Sequence, residues 1–273
     1  MKVAYCLTGL VDSEPLTTHG LNELQSQQHI DFFCHTWRDD KNPGEDIINN
    51  FDFVRTSTST YAEYEDHIMS LPEADELYEL SGSAKEKRHF FRTHLAQFYS
   101  TIECVNMAIA YDDYDIIIKA RSNIRFEKGM CNQFNDNLVN DIQPILERDP
   151  SAWNHFQRPR ADDRPNTKWE QWPSCTNDIQ VVFAPSFTFP IWNYQAPFLD
   201  TIFAMENKFA KKHILHTNFL SNIMNTFIDF ATNEDSLVME ADKVWFKYLM
   251  DNRIAIFGFP MATWMTREKK III

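Results

Sequence analysis

The residues Tyr111–Phe126, YDDYDIIIKARSNIRF, constrain the fold more than any other stretch of this chain. A pair of aspartates opens it, the β-branched run Ile116, Ile117, Ile118 follows, and the sequence then turns abruptly polar. Consecutive isoleucines fit a strand buried on both faces, the habit of parallel sheets covered by helices. From Lys119 the polar residues alternate as Lys119, Arg121, Asn123 and Arg125, with mostly apolar residues between them. An extended chain places alternate side chains on one face, so these four share a face if the segment stays extended. Cations at a strand's end suit a polyanion such as a nucleotide diphosphate, because ligands of open α/β sheets sit beyond the strand carboxyl ends. The competing reading is an edge strand with a solvated basic face.

The flanking segments supply the rest of a sheet. Val3–Leu7 reads as a buried strand that breaks at Thr8-Gly9, and Leu16, Leu21 and Leu24 then fit a helix. Asp31–Trp37 and Phe51–Thr56 read as the next strands. Strand, helix and strand within about 30 residues is the βαβ signature, which predicts a mixed, mainly parallel sheet. Asp178–Phe183 and Ile254–Phe257 read as later strands, and Thr60–Ser83 as a surface excursion with short helices. The strongest helix covers Lys85–Ala110, where Phe91, Leu95, Phe98, Ile102, Val105 and Ile109 recur at helical spacing. That stripe is expected in the core, with Arg92, Gln97 and Ser100 beside it facing either a cleft or water. Leu138–Leu146, Leu220–Phe230 and Leu237–Leu249 read as further helices, and the proline- and tryptophan-rich Trp153–Cys175 as a long loop.

Totals exclude several classes. A formal charge of −13 opposes broad contact with nucleic acid or anionic membranes, though it allows a small basic pocket. Hydrophobic content of 44% supports a sizeable core. Cys6, Cys34, Cys104, Cys131 and Cys175 are widely spaced without a CxxC pair and read as reduced thiols. The start MKVAYCLTGLVDSE lacks the look of a secretory leader, and no window nears the ~20 apolar residues of a membrane span, so a cytoplasmic protein is expected. With six glycines the chain has no GxGxxG, Walker loop or GxSxG elbow, and no HExxH occurs. His213 and His216 are spaced for metal ligation, but a lone pair is more often chance. The doublets Asp39-Asp40, Asp112-Asp113 and Asp162-Asp163 read as solvated turns.

Five blocks together, VAYCLTGL, DFFCHTW, YDIIIKARSNIRF, NDIQVVFAPS and LVMEADKVWFKYLMDNRIAI, resemble a family of GT-A-type glycosyltransferase-like proteins of bacteria and viruses. The resemblance implies one GT-A-like α/β domain over 1–273. Its nucleotide-binding half would be 1–130, and 131–273 would be an acceptor half with a C-terminal helical cap. It implies a sugar-nucleotide donor, a glycan or other hydroxyl acceptor, and a divalent manganese or magnesium ion held by an acid after the central strand. Thr8 and Gly9 would then meet the base or ribose, with Lys119, Arg121, Asn123 and Arg125 at the diphosphate. His35 would lie in the same site, and Trp37 would stack a base or join the core. Asp178 is the first candidate for the base that deprotonates an acceptor hydroxyl, and Glu240 the second.

The departures are as informative. The family's acid after its R-x-R is Asn123 here, Leu10 stands where Gln is common, and Met239 precedes Glu240 where Pro is usual. Hard cations prefer carboxylates, so metal dependence is open. Either Lys119, Arg121 and Arg125 neutralise the diphosphate, or another carboxylate such as Asp112, Asp113 or Asp178 takes over, or the site is degenerate. Two rivals accompany the transferase reading: a noncatalytic binder of nucleotide sugar or glycan, and a viral structural protein retaining the fold.

Overall fold

Parallel strands need covered faces and long crossovers, and the chain supplies both. The computed structural model describes residues 1–9, 30–38, 48, 51–82, 91–122, 140, 142–150, 152, 180–186, 202–233 and 241–260. Within them β1 (Val3–Thr8), β2 (Ile30–Trp37), β3 (Arg55–Ser59), β4 (Ile116–Arg121), β5 (Val181–Ser186), β6 (Ile202–Glu206) and β7 (Ala255–Pro260) form one sheet. It has seven strands in the order β3-β2-β1-β4-β6-β5-β7. Among the described strands β6 alone runs against its neighbours; the other pairings are parallel. The fold is the expected Rossmann-like α/β arrangement, a mixed and mainly parallel sheet flanked by helices.

Two strands differ from the sequence reading. The third begins at Arg55, after the expected Phe51–Thr56 has mostly passed, and its sequence RTSTS is polar and partly exposed. Phe51 and Phe53 instead pack ring to ring at 4.7 Å before the strand, and Phe51 meets Phe32 edge-on at 5.7 Å. An edge strand has one neighbour and one open side, so it tolerates hydroxyls where a central strand does not. The second difference is β6, IFAME, which had no sequence assignment; four of its five residues are buried. Its apolar run fits a strand with both faces covered.

The main helices are α1 (Tyr61–Met69), α2 (Ala74–Leu80), α3 (Ala96–Tyr111), α4 (Gln143–Leu146), α5 (Phe219–Asn233) and α6 (Ala241–Asp251), with a π-helical turn at Phe91–Leu95 leading into α3 and a short helix and π-helical turn over Asn207–Ile214 after β6. Thr60 starts α1 through a reciprocal cap: its hydroxyl accepts from the Glu63 amide at 3.2 Å, and the Glu63 carboxylate accepts from its amide at 2.7 Å. One sheet face, carrying Ala4, Cys6, Phe33, Ile117 and Phe203, packs on α3, α5 and α6. The other, carrying Val3, Tyr5, Leu7, Ile116 and Ile118, packs on Ile142 and Ile145 around α4.

The central helix α3 is buried twice over. Phe98 and Val105 of the expected stripe are buried, whereas Ile102 and Ile109 are only half-buried. The side that meets β1 and β2 is instead Ser100, Cys104 and Ala108, all fully buried and four residues apart. Small side chains let helix and sheet approach closely, and the Cys104 thiol reaches the Leu7 carbonyl at 3.6 Å. Burial pushes that thiol's pKa well up, so it stays protonated. On the outer side Phe98 stacks on Trp245 of α6 at 4.9 Å, and Trp245 meets Phe203 of β6 edge-on at 5.0 Å. This seam yields a stability prediction. Enlarging Cys104 to Leu should lever the helix off the sheet and cost about 1–3 kcal/mol, read as a lower urea midpoint at unchanged slope.

Candidate functional site

Chain order locates the crevice before any side chain is considered. The chain passes from β1 outward to β2 and β3, then returns across to β4 on the other side of β1. The chain leaves β1 toward β2 and leaves β4 toward β5 on the other side, so β1 and β4 flank the switch point, outside whose carboxyl ends open α/β sheets seat their ligands. Thr8 at the end of β1 is the register partner of Arg121 at the end of β4. The two ends are joined: the Ser122 amide donates to the Thr8 carbonyl at 3.0 Å and the Thr8 hydroxyl to the Ala120 carbonyl at 3.2 Å. Gly9 follows with φ at +109°, in the region that strains a residue with a side chain. The expected adjacency of the Thr8-Gly9 turn and Arg121 is present.

The candidate residues occupy different depths. Arg121 is half-buried at the strand's end, whereas Lys119, two positions earlier on the same face, is fully buried. Its ammonium lies 5.7 Å from the Phe203 ring centroid, among core residues, so Lys119 does not line an open cleft as the alternation predicted. The physical reason is distance along the strand: the basic face is core until the sheet ends. Thr8 is buried too, with its hydroxyl turned inward. Asn123, Arg125, Asp178 and Glu240 lie outside the described residues. Their described neighbours differ in position. Ala241 opens α6 at the carboxyl end: α6 runs back toward the other end, where its Tyr248 hydroxyl meets His213 at 3.1 Å and the chain enters β7 beside Gln180. Gln180, two residues after Asp178, lies at the amino end of β5.

His35 is drawn into the framework. It pairs with Thr8 across β1 and β2, and its imidazole is fully buried. Nδ1 lies 2.7 Å from the Ser100 hydroxyl and Nε2 lies 3.0 Å from the Ser59 hydroxyl. With both nitrogens engaged by protein groups, the side chain presents no surface to a ligand. Ser100 also accepts from the Gly9 amide at 3.2 Å, which ties α3 to the turn. Trp37 is buried and stacks on the half-buried Tyr61 at 4.8 Å, and the Arg92 guanidinium sits 5.1 Å from the Tyr61 ring centroid, so Trp37 joins the core at the inner end of that column. Ser59 had no assigned part in the site, and Ser100, expected to face either a cleft or water, is buried against the turn instead; the small-residue spacing Ser100, Cys104, Ala108 is the signal that marks this helix face.

Other groups sit at the far end of the sheet. Asp112 and Asp113, between α3 and β4, pair with Lys2 and Lys211 at 2.7 Å each. They are solvated, as doublets usually are, and a whole strand separates them from Arg121, so neither replaces an acid there. A shallow polar cleft of about 350 Å³ opens beside them, lined by Asp113, Asp115, Glu206, Asn207, Lys208 and Lys211. The His213–His216 pair is not a ligand set. His213 is buried with Nε2 2.7 Å from Gln180 Oε1, and the His216 Nδ1 accepts from the Asn218 amide at 3.2 Å. Among the described residues no group of His, Cys, Asp and Glu is arranged to hold a metal ion. The Thr8 hydroxyl and the Gly9 and Ser122 amides already donate within the protein, so among the described residues of the β1–β4 end it is the Arg121 guanidinium that suits an anion, and a guanidinium does not fit a divalent cation. Also among them, no helix is long and apolar enough to cross a membrane.

No protein-family model and no curated protein matches the chain. Among solved structures, mouse xyloside xylosyltransferase 1 in its apo form is similar at 9% identity, covering 94% of this chain and 84% of that one with a TM-score of 0.43. The glycosyltransferase GlyE of Streptococcus pneumoniae is similar at 7% identity, with 94% and 45% covered and a TM-score of 0.42. A mannosyltransferase from Pyrobaculum calidifontis, in complex with GDP-Man and Mn2+, is similar at 9% identity, with 95% and 55% covered and a TM-score of 0.40. The chain thus spans about half the length of the last two. At these scores the likeness is one of outline, and what the crevice can do follows from its own residues.

Burial sets the acid response of two histidines, His35 toward the carboxyl end of the sheet and His213 toward its amino end. It holds the His35 imidazole neutral, lowering its pKa from 6.5 to about 4. Burial, with Lys212 and His216 nearby, also lowers His213 to about 4. The unfolded chain takes up these protons near pH 6.5 and the folded chain only near pH 4. Stability that is full above the first pH is therefore lost as pH falls toward the second. A tenfold difference in proton affinity is worth about 1.4 kcal/mol, so His35 alone accounts for about 3 kcal/mol across that window. Urea unfolding at neutral pH and at the acid side of the window should show the loss, and His35→Asn should remove the His35 share of it while the His213 share stays.

Proposed function

We propose that the chain is a nucleotide-sugar-dependent glycosyltransferase of GT-A type, with the donor diphosphate bound across the carboxyl ends of β1 and β4. The observation that carries the reading is the meeting of the Thr8-Gly9 turn with Arg121-Ser122 at the point where the sheet's connections diverge. The positive φ at position 9 favours glycine, and because Gly9 has no Cβ a ligand can approach the backbone of the turn closely. Arg121 offers a planar fork that grips phosphate oxygens bidentately. In transfer, the bond from the sugar's anomeric carbon to the diphosphate breaks and one to the acceptor oxygen forms. The acceptor's proton passes to a carboxylate, and the electron pair leaves with the nucleoside diphosphate. Arg121 would stabilise that departing charge.

Of the two candidate bases, Glu240 is favoured over Asp178. Ala241, the next residue, opens α6 at the crevice end, whereas Gln180, two residues after Asp178, lies at the opposite end. Arg125 would join Arg121 at the diphosphate, and the buried Lys119 would raise the local potential from within. A cytoplasmic enzyme with a glycan or other hydroxyl acceptor completes the reading. Asn123, standing where the resemblance expects an acid, favours a second reading, a nucleotide-sugar binder without turnover.

Two measurements test this. A nucleoside diphosphate should raise the melting temperature of the native protein, and Arg121→Ala should weaken its binding by about 1.5–3 kcal/mol in calorimetry. No stabilisation by any nucleoside diphosphate or nucleotide sugar would remove the reading. The second measurement is a manganese titration with nucleotide present. One carboxylate beside a cation is worth several kcal/mol at an effective dielectric of about 20, before desolvation. Native protein should therefore bind manganese weakly, and Asn123→Asp should bind it tightly. Tight binding by the native protein would favour a metal-dependent transferase instead.

A further inference from the structure

We infer that His35 is a positioning residue: through Ser100 it fixes the direction of the Gly9 amide, and with it the turn on which the nucleotide would rest. The functional half of this inference rests on the proposed donor site; the structural half stands on geometry alone. The Gly9 amide has two acceptors, the His35 carbonyl at 3.3 Å and the Ser100 hydroxyl at 3.2 Å. Both contacts are long, and a proton shared between two distant acceptors is held stiffly by neither. Its direction therefore depends on what holds the acceptors. That role falls to the 2.7 Å contact between His35 Nδ1 and Ser100 Oγ, the shortest bond of the group. The Ser100 hydroxyl lies 3.4 Å from the His35 carbonyl as well, so the two residues form a closed pair around the amide. On the far side Nε2 is anchored to Ser59 at 3.0 Å, on the edge strand β3.

The choice of side chain supports a directional role. A position needed only to fill space beneath α3 would be cheaper as an aliphatic or phenyl group, because a buried imidazole must have its polar atoms matched. Here both nitrogens are matched, in opposite directions, and the fully buried ring spans from β3 to the helix. Trp37 and Tyr99 meet it edge-on at 5.3 and 6.0 Å, which leaves it no other orientation to adopt. Gly9, at φ +109°, has no side chain to steady itself, so the pair supplies the restraint.

The two ring nitrogens can be separated by substitution. The amide of Asn copies the Nδ1 position and so keeps the Ser100 contact; the amide of Gln copies Nε2 and keeps only Ser59. Amide hydrogen exchange by NMR on the native protein, Ser100→Ala, His35→Gln and His35→Asn reads the outcome without any ligand. Exchange at Gly9, relative to Tyr5 and Leu7 in the same strand, should quicken about tenfold in Ser100→Ala and His35→Gln, the loss expected for one hydrogen bond of this class, and stay near native in His35→Asn. Equal protection ratios in all four proteins would overturn the inference, because a merely structural histidine lowers global stability without singling out Gly9. Calorimetry with UDP and with GDP then tests the functional half: affinity should fall about tenfold in the first two variants and hold in the third. If the native protein binds neither nucleotide, the donor-site reading and the functional half fall together, while the exchange ratios still decide whether His35 positions Gly9.

Discussion

The close seat of α3 on β1 and β2 is the contact on which the rest of the molecule depends. Ser100, Cys104 and Ala108 are small enough to bring the helix backbone near the strands, and two of them use that nearness to bond the sheet or the turn that follows it. Because small residues take the sheet side, the large ones must find cover elsewhere. Phe98 obtains it from Trp245, Phe219 and Phe227, which draws α5 and α6 onto the same layer. One helix thus sets both the second layer of helices and the geometry at the end of β1. A larger residue at its inner face would disturb the crevice and the core together.

Much of this was legible in the sequence. The strands β1, β2, β4, β5 and β7 read as apolar runs because parallel strands are covered on both sides. The adjacency of the β1 and β4 ends was expected, and the pairing of those strands supplies the register that sets Thr8 beside Arg121. What escaped has physical reasons. The polar RTSTS of β3 looks like a loop until its single neighbour is known. The large residues of α3 conceal the Ser100–Cys104–Ala108 face, since periodicity is judged on bulk while close packing selects for its absence. Lys119 and Arg121 share a face by alternation, yet one is core and the other lies at the rim. Alternation gives the face of a residue and not its depth.

His35 teaches the same distinction. A histidine near the end of a strand attracts a ligand-binding reading because its nitrogens are useful there. Its burial and its two serine partners follow from the packing of α3 and β3, neither of which adjoins it in sequence. A residue can belong to a site by holding its floor without touching what the site binds.

Strand direction offers the last constraint. Because β1, β2, β3, β4, β5 and β7 run alike, the sheet has a carboxyl end and an amino end, and chemistry must be assembled at one of them. Groups that lead into a strand belong to the amino end: Asp112 and Asp113 before β4 are there, held by Lys2 and Lys211. Groups at the carboxyl end either follow a strand, as Gly9 and Ser122 do, or begin a helix that runs back, as Ala241 does at the head of α6. On the proposed function, a nucleotide seated over Thr8 and Arg121 takes its acid or base from a segment at that carboxyl end, of either kind. Chain direction alone thus favours the start of α6 over the approach to β5, because a side chain cannot reach across the length of the sheet to act at its other end.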